Sequence, residues 1–133
     1  MIFQLAYFSA ALPTITDRDV HEILRASSRN NRRNGLSGML LLLDGTFFQV
    51  LEGDRDRTEE TFLRISRDRR HTGVLRVVER EREERSFPDW TMGFEKFLHA
   101  SEADDALPFD IAALARNPSI EKLREKAPEL ISF

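Results

Sequence analysis

The run Gly38-Met39-Leu40-Leu41-Leu42-Leu43, then Asp44-Gly45, then Thr46-Phe47-Phe48-Gln49-Val50-Leu51 constrains the fold of this chain more than any other feature. Asp-Gly between two strand-forming runs specifies a tight hairpin, because glycine accepts the positive φ such turns need. Met39 to Leu43 is apolar at every position rather than alternately. A strand apolar on both sides must be covered on both sides. The hairpin therefore belongs to the interior of a layered structure.

The flanking pattern supplies the layers. Ile2 to Phe8 is an apolar run rich in β-formers, broken only by Gln4, and predicts a first strand. Thr16 followed by Asp17 and Asp19 is a helix start, and Val20, Ile23, Leu24 and Ser27 recur at helical spacing to about Ser28. Asn30, Asn31, Asn34 and Gly35 are expected to end that helix. Residues 54–68 predict a second helix, with Thr58, Phe62 and Ile65 on one face and Arg64 and Arg67 off it. Gly73 ends the next connection. Val74 to Val78 opens a fourth strand, which runs into Glu79 to Arg85, read as a solvated strand end. Trp90 to Phe97 predicts a fifth strand, and Pro108 and Pro118 each start a short amphipathic helix. The order βαββαββ implies an α+β, ferredoxin-like sandwich with both main helices on one sheet face. The two C-terminal helices are expected on the other face, with a dimer partner as the alternative cover. Residues 1–97 form the expected core and residues 98–133 a C-terminal helical cap.

Composition then removes whole classes of chemistry. The 133 residues include no cysteine, so disulfides, thiolate metal sites and cysteine nucleophiles are excluded. His21, His71 and His99 lie far apart, and no metal site is expected. Residues 99–133 hold seven acids and four bases, so residues 1–98 balance at sixteen of each. Such balance gives no long-range attraction for nucleic acid. No stretch approaches the roughly 20 apolar residues of a membrane-spanning helix, and the first residues do not form a signal peptide. A cytoplasmic location is expected. Neither a Gly-x-Gly-x-x-Gly nor a Walker loop occurs, and no Ser–His–Asp spacing suggests a triad.

Three polar features stand out. Gln49 interrupts a buried strand, where an unpaired amide costs about 1–3 kcal/mol. It bonds either neighbouring backbone or a polar ligand. Tyr7, the single tyrosine, shares a strand face with Phe3 and Leu5. Neighbouring first and third strands would bring Tyr7 beside Gln49, as a core phenol or as part of a site. Asn30 and Asn31 with Arg29, Arg32 and Arg33 are either helix-end caps or a site for a heterocycle edge and a phosphate.

Tyr7-Phe8-Ser9, Asn30-Asn31, Gly35-Leu36-Ser37-Gly38-Met39-Leu40, Phe47-Phe48-Gln49-Val50-Leu51-Glu52-Gly53, Asp68-Arg69-Arg70-His71 and Phe87-Pro88-Asp89-Trp90-Thr91-Met92 follow in order. Together they resemble a BLUF domain, the blue-light sensor that uses flavin, of the short stand-alone type. The resemblance spans about residues 1–97. It implies an FAD isoalloxazine ring between the two main helices, flanked by Ile23 and Ile65, with FMN or riboflavin as alternatives. Asn31 would bond the ring's carbonyl edge with Asn30 nearby, and Arg64 or Arg29 would meet the phosphates. Tyr7, Gln49, Ser9, Trp90 and Met92 are the implied photoactive residues. Tyr7 would give an electron and a proton through Gln49, and Trp90 or Met92 would carry the signal toward the C-terminal helices. No turnover is implied. The output would pass to a separate downstream protein or through a homo-oligomer. The competing classes are an acylphosphatase-like hydrolase using Arg29, Asn31 and Arg33, and a cofactor-free interaction domain. Absence of cysteine further excludes flavin sensors that work through a cysteine adduct.

Overall fold

Seven elements follow one another in the expected order: β1 (Ile2–Ala11), α1 (Asp17–Asn34), β2 (Ser37–Leu43), β3 (Thr46–Gly53), α2 (Arg55–Ser66), β4 (His71–Arg82) and β5 (Gly93–Phe97). The computed structural model describes residues 1–43, 45–89 and 93–97, with backbone alone for residue 43 and residues 93–97. Trp90, Met92 and the expected cap helices within residues 98–133 lie outside the described residues. Among the described residues no helix is long and apolar enough to cross a membrane.

The strands form one sheet in the order β4-β1-β3-β2-β5. Its first four strands pair antiparallel, as the ferredoxin-like arrangement requires, and β5 adds parallel to β2 at the edge. Tyr7 lies directly opposite Gln49 across β1 and β3, and Gln4 lies opposite Glu52. Phe3, Leu5, Tyr7 and Leu51 pack on one face against Phe62 and Ile65 of α2. On the other face Phe8 and Phe48 stack at 4.8 Å with their rings tilted by 45°. Both rings are fully buried. Each such burial contributes about 1.5–3 kcal/mol. The sheet is thus covered on both sides, as its hairpin demands.

Three local readings need correction. Helix α1 runs six residues beyond Ser28, so Asn30 and Asn31 sit inside its last turns. Its start is the expected one: Thr16 Oγ1 accepts from the Asp19 amide, while Asp19 Oδ2 accepts from the Thr16 amide. The helix carries on because Arg32 and Arg33 favour the dipole of a C-terminal turn, and Gly35 closes it in the left-handed region. Gly73 lies inside β4 rather than ending the connection, near a register shift of β4 against β1. The stretch Glu79 to Arg85 is not merely a solvated end. Arg80 Nε donates to Gln4 Oε1 at 2.6 Å, and Arg85 donates to Ser37 Oγ and to the carbonyls of Glu52 and Gly35.

Those arginines border a buried carboxylate. Glu52 is 0% exposed. Its Oε2 accepts from Gln4 Nε2 at 3.0 Å and from the Ser86 amide at 2.9 Å. Its Oε1 accepts from Ser37 Oγ at 3.1 Å and from the Phe87 amide at 2.7 Å. Four donors offset the desolvation that would otherwise make a buried carboxylate strongly destabilising.

Two glycines in the hairpin are needed for different reasons, and a paired substitution separates them. Gly45 has φ 80°, but a Cβ there meets nothing within 4 Å. A Cβ at Gly38 would lie 2.0 Å from the Val50 carbonyl oxygen. Gly45→Ala should cost about 1–2 kcal/mol of left-handed strain. Gly38→Ala should cost at least about 3 kcal/mol, the top of the range for overpacking, because backbone cannot rotate away. Urea unfolding of both variants measures the difference, and equal losses would refute the close-approach account.

Candidate functional site

The two helices and the sheet face beneath them enclose a cleft of about 750 Å³, its open mouth included. Ile23, Ala26, Ser27 and Asn30 of α1 line one wall, and Arg64 and Ile65 of α2 the other. Tyr7, Leu40, Phe47 and Gln49 form the floor, and Asp68, Arg70 and His71 close one end. Ile23 and Ile65 reach this site because each occupies the helix position that the apolar period turns toward the sheet.

Tyr7 and Gln49 are each 2% exposed. The Tyr7 hydroxyl donates to Gln49 Oε1. Burial pushes the phenol well above its ordinary pKa, and the negative charge of Asp68 adds to that rise. Tyr7 is therefore a neutral phenol with its proton on the line to the glutamine. The ring of Phe62 meets it edge-on at 5.4 Å.

His71 ties the cleft's end together. Its Nε2 lies 2.8 Å from the Ile65 carbonyl and its Nδ1 2.7 Å from Ser9 Oγ. A carbonyl only accepts, so Nε2 carries the hydrogen; in the neutral ring Nδ1 then accepts from the Ser9 hydroxyl. Arg70 grips Asp68 through Nε at 3.0 Å and Nη2 at 2.6 Å. These bonds hold the Asp68 carboxyl below the usual carboxylate range, against the opposing effect of burial.

Of the residues singled out from sequence, Tyr7, Gln49, Asn30, Ile23, Ile65 and Arg64 meet at this cleft. Ser9 reaches it through His71. Asn31 is 1% exposed and is not among the lining residues; its carbonyl accepts from the Leu36 amide at 2.8 Å. Arg29 lines a separate shallow depression with Arg25, Arg32 and Arg33. The hydrolase alternative needed Arg29, Asn31 and Arg33 to converge on an anion; Arg29 and Arg33 share the depression, but the buried Asn31 does not line it. Sequence reasoning gave no role to Asp68, Arg70 or His71, although the motif containing them was visible.

A planar heterocycle with apolar faces and a polar edge suits two isoleucine walls over an amide and a phenol. A family model described as sensors of blue-light using FAD matches residues 2–93. The chain belongs to the BLUF family. Its relatives include photoactivated adenylate cyclase subunit beta of Euglena gracilis, 37% identical over 89 residues, which are 66% of this chain and 10% of that protein. The chain spans about a tenth of the length of the curated relatives it matches. Among solved structures, the dark state of the BLUF protein BlrB superposes with a TM-score of 0.73 at 29% identity, covering 96% of this chain and 95% of that one. The photo-activated state of BlsA gives a TM-score of 0.75 at 25% identity, covering 99% and 97%. BLUF domains bind flavin, and the cleft's residues fit that class of ligand. The resemblance read from sequence, the ferredoxin-like fold and the blue-light-sensor class therefore stand.

The Asp68–Arg70 pair makes a pH prediction. A carboxyl whose folded pKa is depressed stabilises above its unfolded value of about 3.9 and loses that contribution as pH falls through the lower folded value. Wild type should exceed Asp68→Asn in stability near neutrality, and the gap should close as pH falls below about 4. Urea midpoints measured across that range check it; a gap independent of pH would show that the carboxylate's charge is not what stabilises.

Proposed function

We propose that this BLUF chain is a blue-light photoreceptor in which Tyr7 and Gln49 form the switching pair, with FAD or a related flavin in the cleft. The observation that carries the reading is the hydrogen bond from the buried Tyr7 hydroxyl to Gln49 Oε1, on the floor of a cleft walled by Ile23 and Ile65. Flavin, when bound, supplies blue-light absorption and, once excited, a one-electron oxidant.

The chain's own residues do the rest. Tyr7 is the sole tyrosine, and it is the phenol that gives up an electron. Its proton leaves along the bond it already makes to the Gln49 amide, and the electron and the proton then return together, so that Tyr7 ends as the neutral phenol and only the amide is rearranged. An amide carries a donor group and an acceptor on one carbon, so rotation or tautomerisation exchanges what it offers to each neighbour. In a site this dry, the exchanged bond differs in energy by more than it would in water. Asn30 would hold the polar edge of the ligand and Arg64 its phosphates, both from the cleft wall; Asn31 and Arg29 would share in this only by turning toward the cleft. Ser9 braces the pair through His71. The segment with Trp90 and Met92, which leads into β5, receives the change and passes it through residues 98–133 to a separate protein or a second copy of the chain. Nothing turns over: the product is an altered hydrogen-bond state that must differ in energy to bias a two-state element.

Colour is the direct test. The purified chain should be yellow, shift its absorption slightly to the red in blue light, and recover in darkness. A chain that stays colourless after refolding with FAD refutes the reading. Tyr7→Phe and Gln49→Leu should each retain flavin and abolish the reversible shift. A normal photocycle in either variant would remove that residue from the switch. Trp90→Ala or Met92→Ala should alter recovery while sparing the shift.

A further inference from the structure

Glu52 has no part in the switch, yet it is the one carboxylate or cation among the buried residues described. It stands three residues from Gln49 on β3, and its side chain meets Gln4 on the sheet face opposite Tyr7 and Gln49. Its four donors come from three places: Gln4 of β1, Ser37 of β2, and the successive amides of Ser86 and Phe87. The last two belong to the connection from β4 to β5. Arg85, the residue before them, is fixed by Ser37 Oγ at 2.8 Å, the Glu52 carbonyl at 3.2 Å and the Gly35 carbonyl at 2.7 Å. Three consecutive residues of that connection are thus bound to β3, to Ser37 of β2 and to the turn before it. Two backbone N–H groups aimed at one carboxylate form an arrangement that only an acceptor can satisfy. Glutamine in its place would turn an NH₂ group toward one of them.

We propose that Glu52 is a positioning residue that fastens the β4–β5 connection to β3, so that a rearrangement at Gln49 reaches residues 83–97 through this carboxylate. The proposal rests on the photosensory reading above. Movement of β3 under Gln49 carries Glu52 with it, and the Ser86 and Phe87 amides follow because both donate to its carboxylate. The chain then continues into β5, which pairs with β2.

Hydrogen exchange of the full 133-residue chain loaded with FAD tests it, comparing darkness with blue light in peptides from residues 83–97. Wild type should show a light-dependent change in those peptides. Glu52→Gln should keep the red shift, exchange the Ser86 and Phe87 amides about tenfold faster in darkness, and lose the light-dependent change. A merely structural role would speed exchange equally in both conditions and leave the difference intact, which overturns the proposal. Arg85→Met leaves the carboxylate in place and removes three bonds beside it; it should shrink the light-dependent change without touching the shift. Should Glu52→Gln not accumulate as folded protein, an unchanged response in Arg85→Met overturns the proposal by itself. A wild-type chain that shows the red shift with no exchange response in residues 83–97 removes the coupling alone. A colourless chain removes the photosensory reading first, and the coupling with it.

Discussion

The register of β1 against β3 is the constraint on which the rest of the structure depends. It sets Tyr7 opposite Gln49 on one face and Gln4 opposite Glu52 on the other. A slip of one residue would send every side chain of a strand to the opposite face. Apolar packing alone does not forbid that slip, since β2 and much of β3 are apolar on both faces. The polar pairs do. Moving them apart would strand a phenol, two amides and a carboxylate in the interior, at about 1–3 kcal/mol for each neutral group and more for the charge. Among the described residues, Thr46 Oγ1 is the one buried side-chain polar atom without a partner. The hydrophobic runs give this sheet its depth, and the buried polar groups give it its alignment.

Around the Tyr7–Gln49 pair the electrostatics are arranged to keep the phenol neutral. Burial raises its pKa, and Asp68 raises it further. The doubly bonded guanidinium of Arg70 balances Asp68 locally, so the group presents a dipole rather than a bare charge to the cleft. His71 joins Ser9 of β1 to the end of α2 by two bonds, which holds the strand carrying Tyr7 in place against the helix carrying Ile65. Tyr7 and Gln49 thus sit in a frame fixed on the sheet side and open on the helix side.

How much of this was legible follows from which signals are local. The hairpin, the helix starts at Thr16 and Asp54, and the element order are written in short stretches of residues, and they came through. So did the meeting of Tyr7 with Gln49, once first and third strands were taken as neighbours. That same register implied Gln4 opposite Glu52, because three steps back along one strand match three steps forward along its antiparallel partner. Gln4 had been seen as an interruption and Glu52 as part of a motif, but nothing in either strand shows that the other end of the pair is dry. The capture of Ser86, Phe87 and Arg85 was not legible at all, since a run of charges between strands looks the same whether its arginines face water or a buried acid. The extra turns of α1 were missed for a related reason: asparagine and arginine are as common at a helix exit as in its last turns.

The two buried polar pairs differ in what they permit, and the difference bears on signalling. Gln49 is both donor and acceptor, so it can exchange partners while its count of hydrogen bonds stays the same. Glu52 accepts only, and its oxygens are engaged by four donors, two of them backbone amides with no freedom to turn. The first arrangement allows more than one assignment of its bonds; the second allows one. A rearrangement confined to an amide side chain would dissipate in a pliable surrounding, because nothing would distinguish its two states at a distance. Set on the same strand as a group that cannot rearrange, it must instead be absorbed by the strand as a whole or by what the fixed group holds. Under the proposed switch, an amide that can exchange partners and a carboxylate that cannot, three positions apart on opposite faces of β3, would let a change in one hydrogen bond become a displacement elsewhere in the fold.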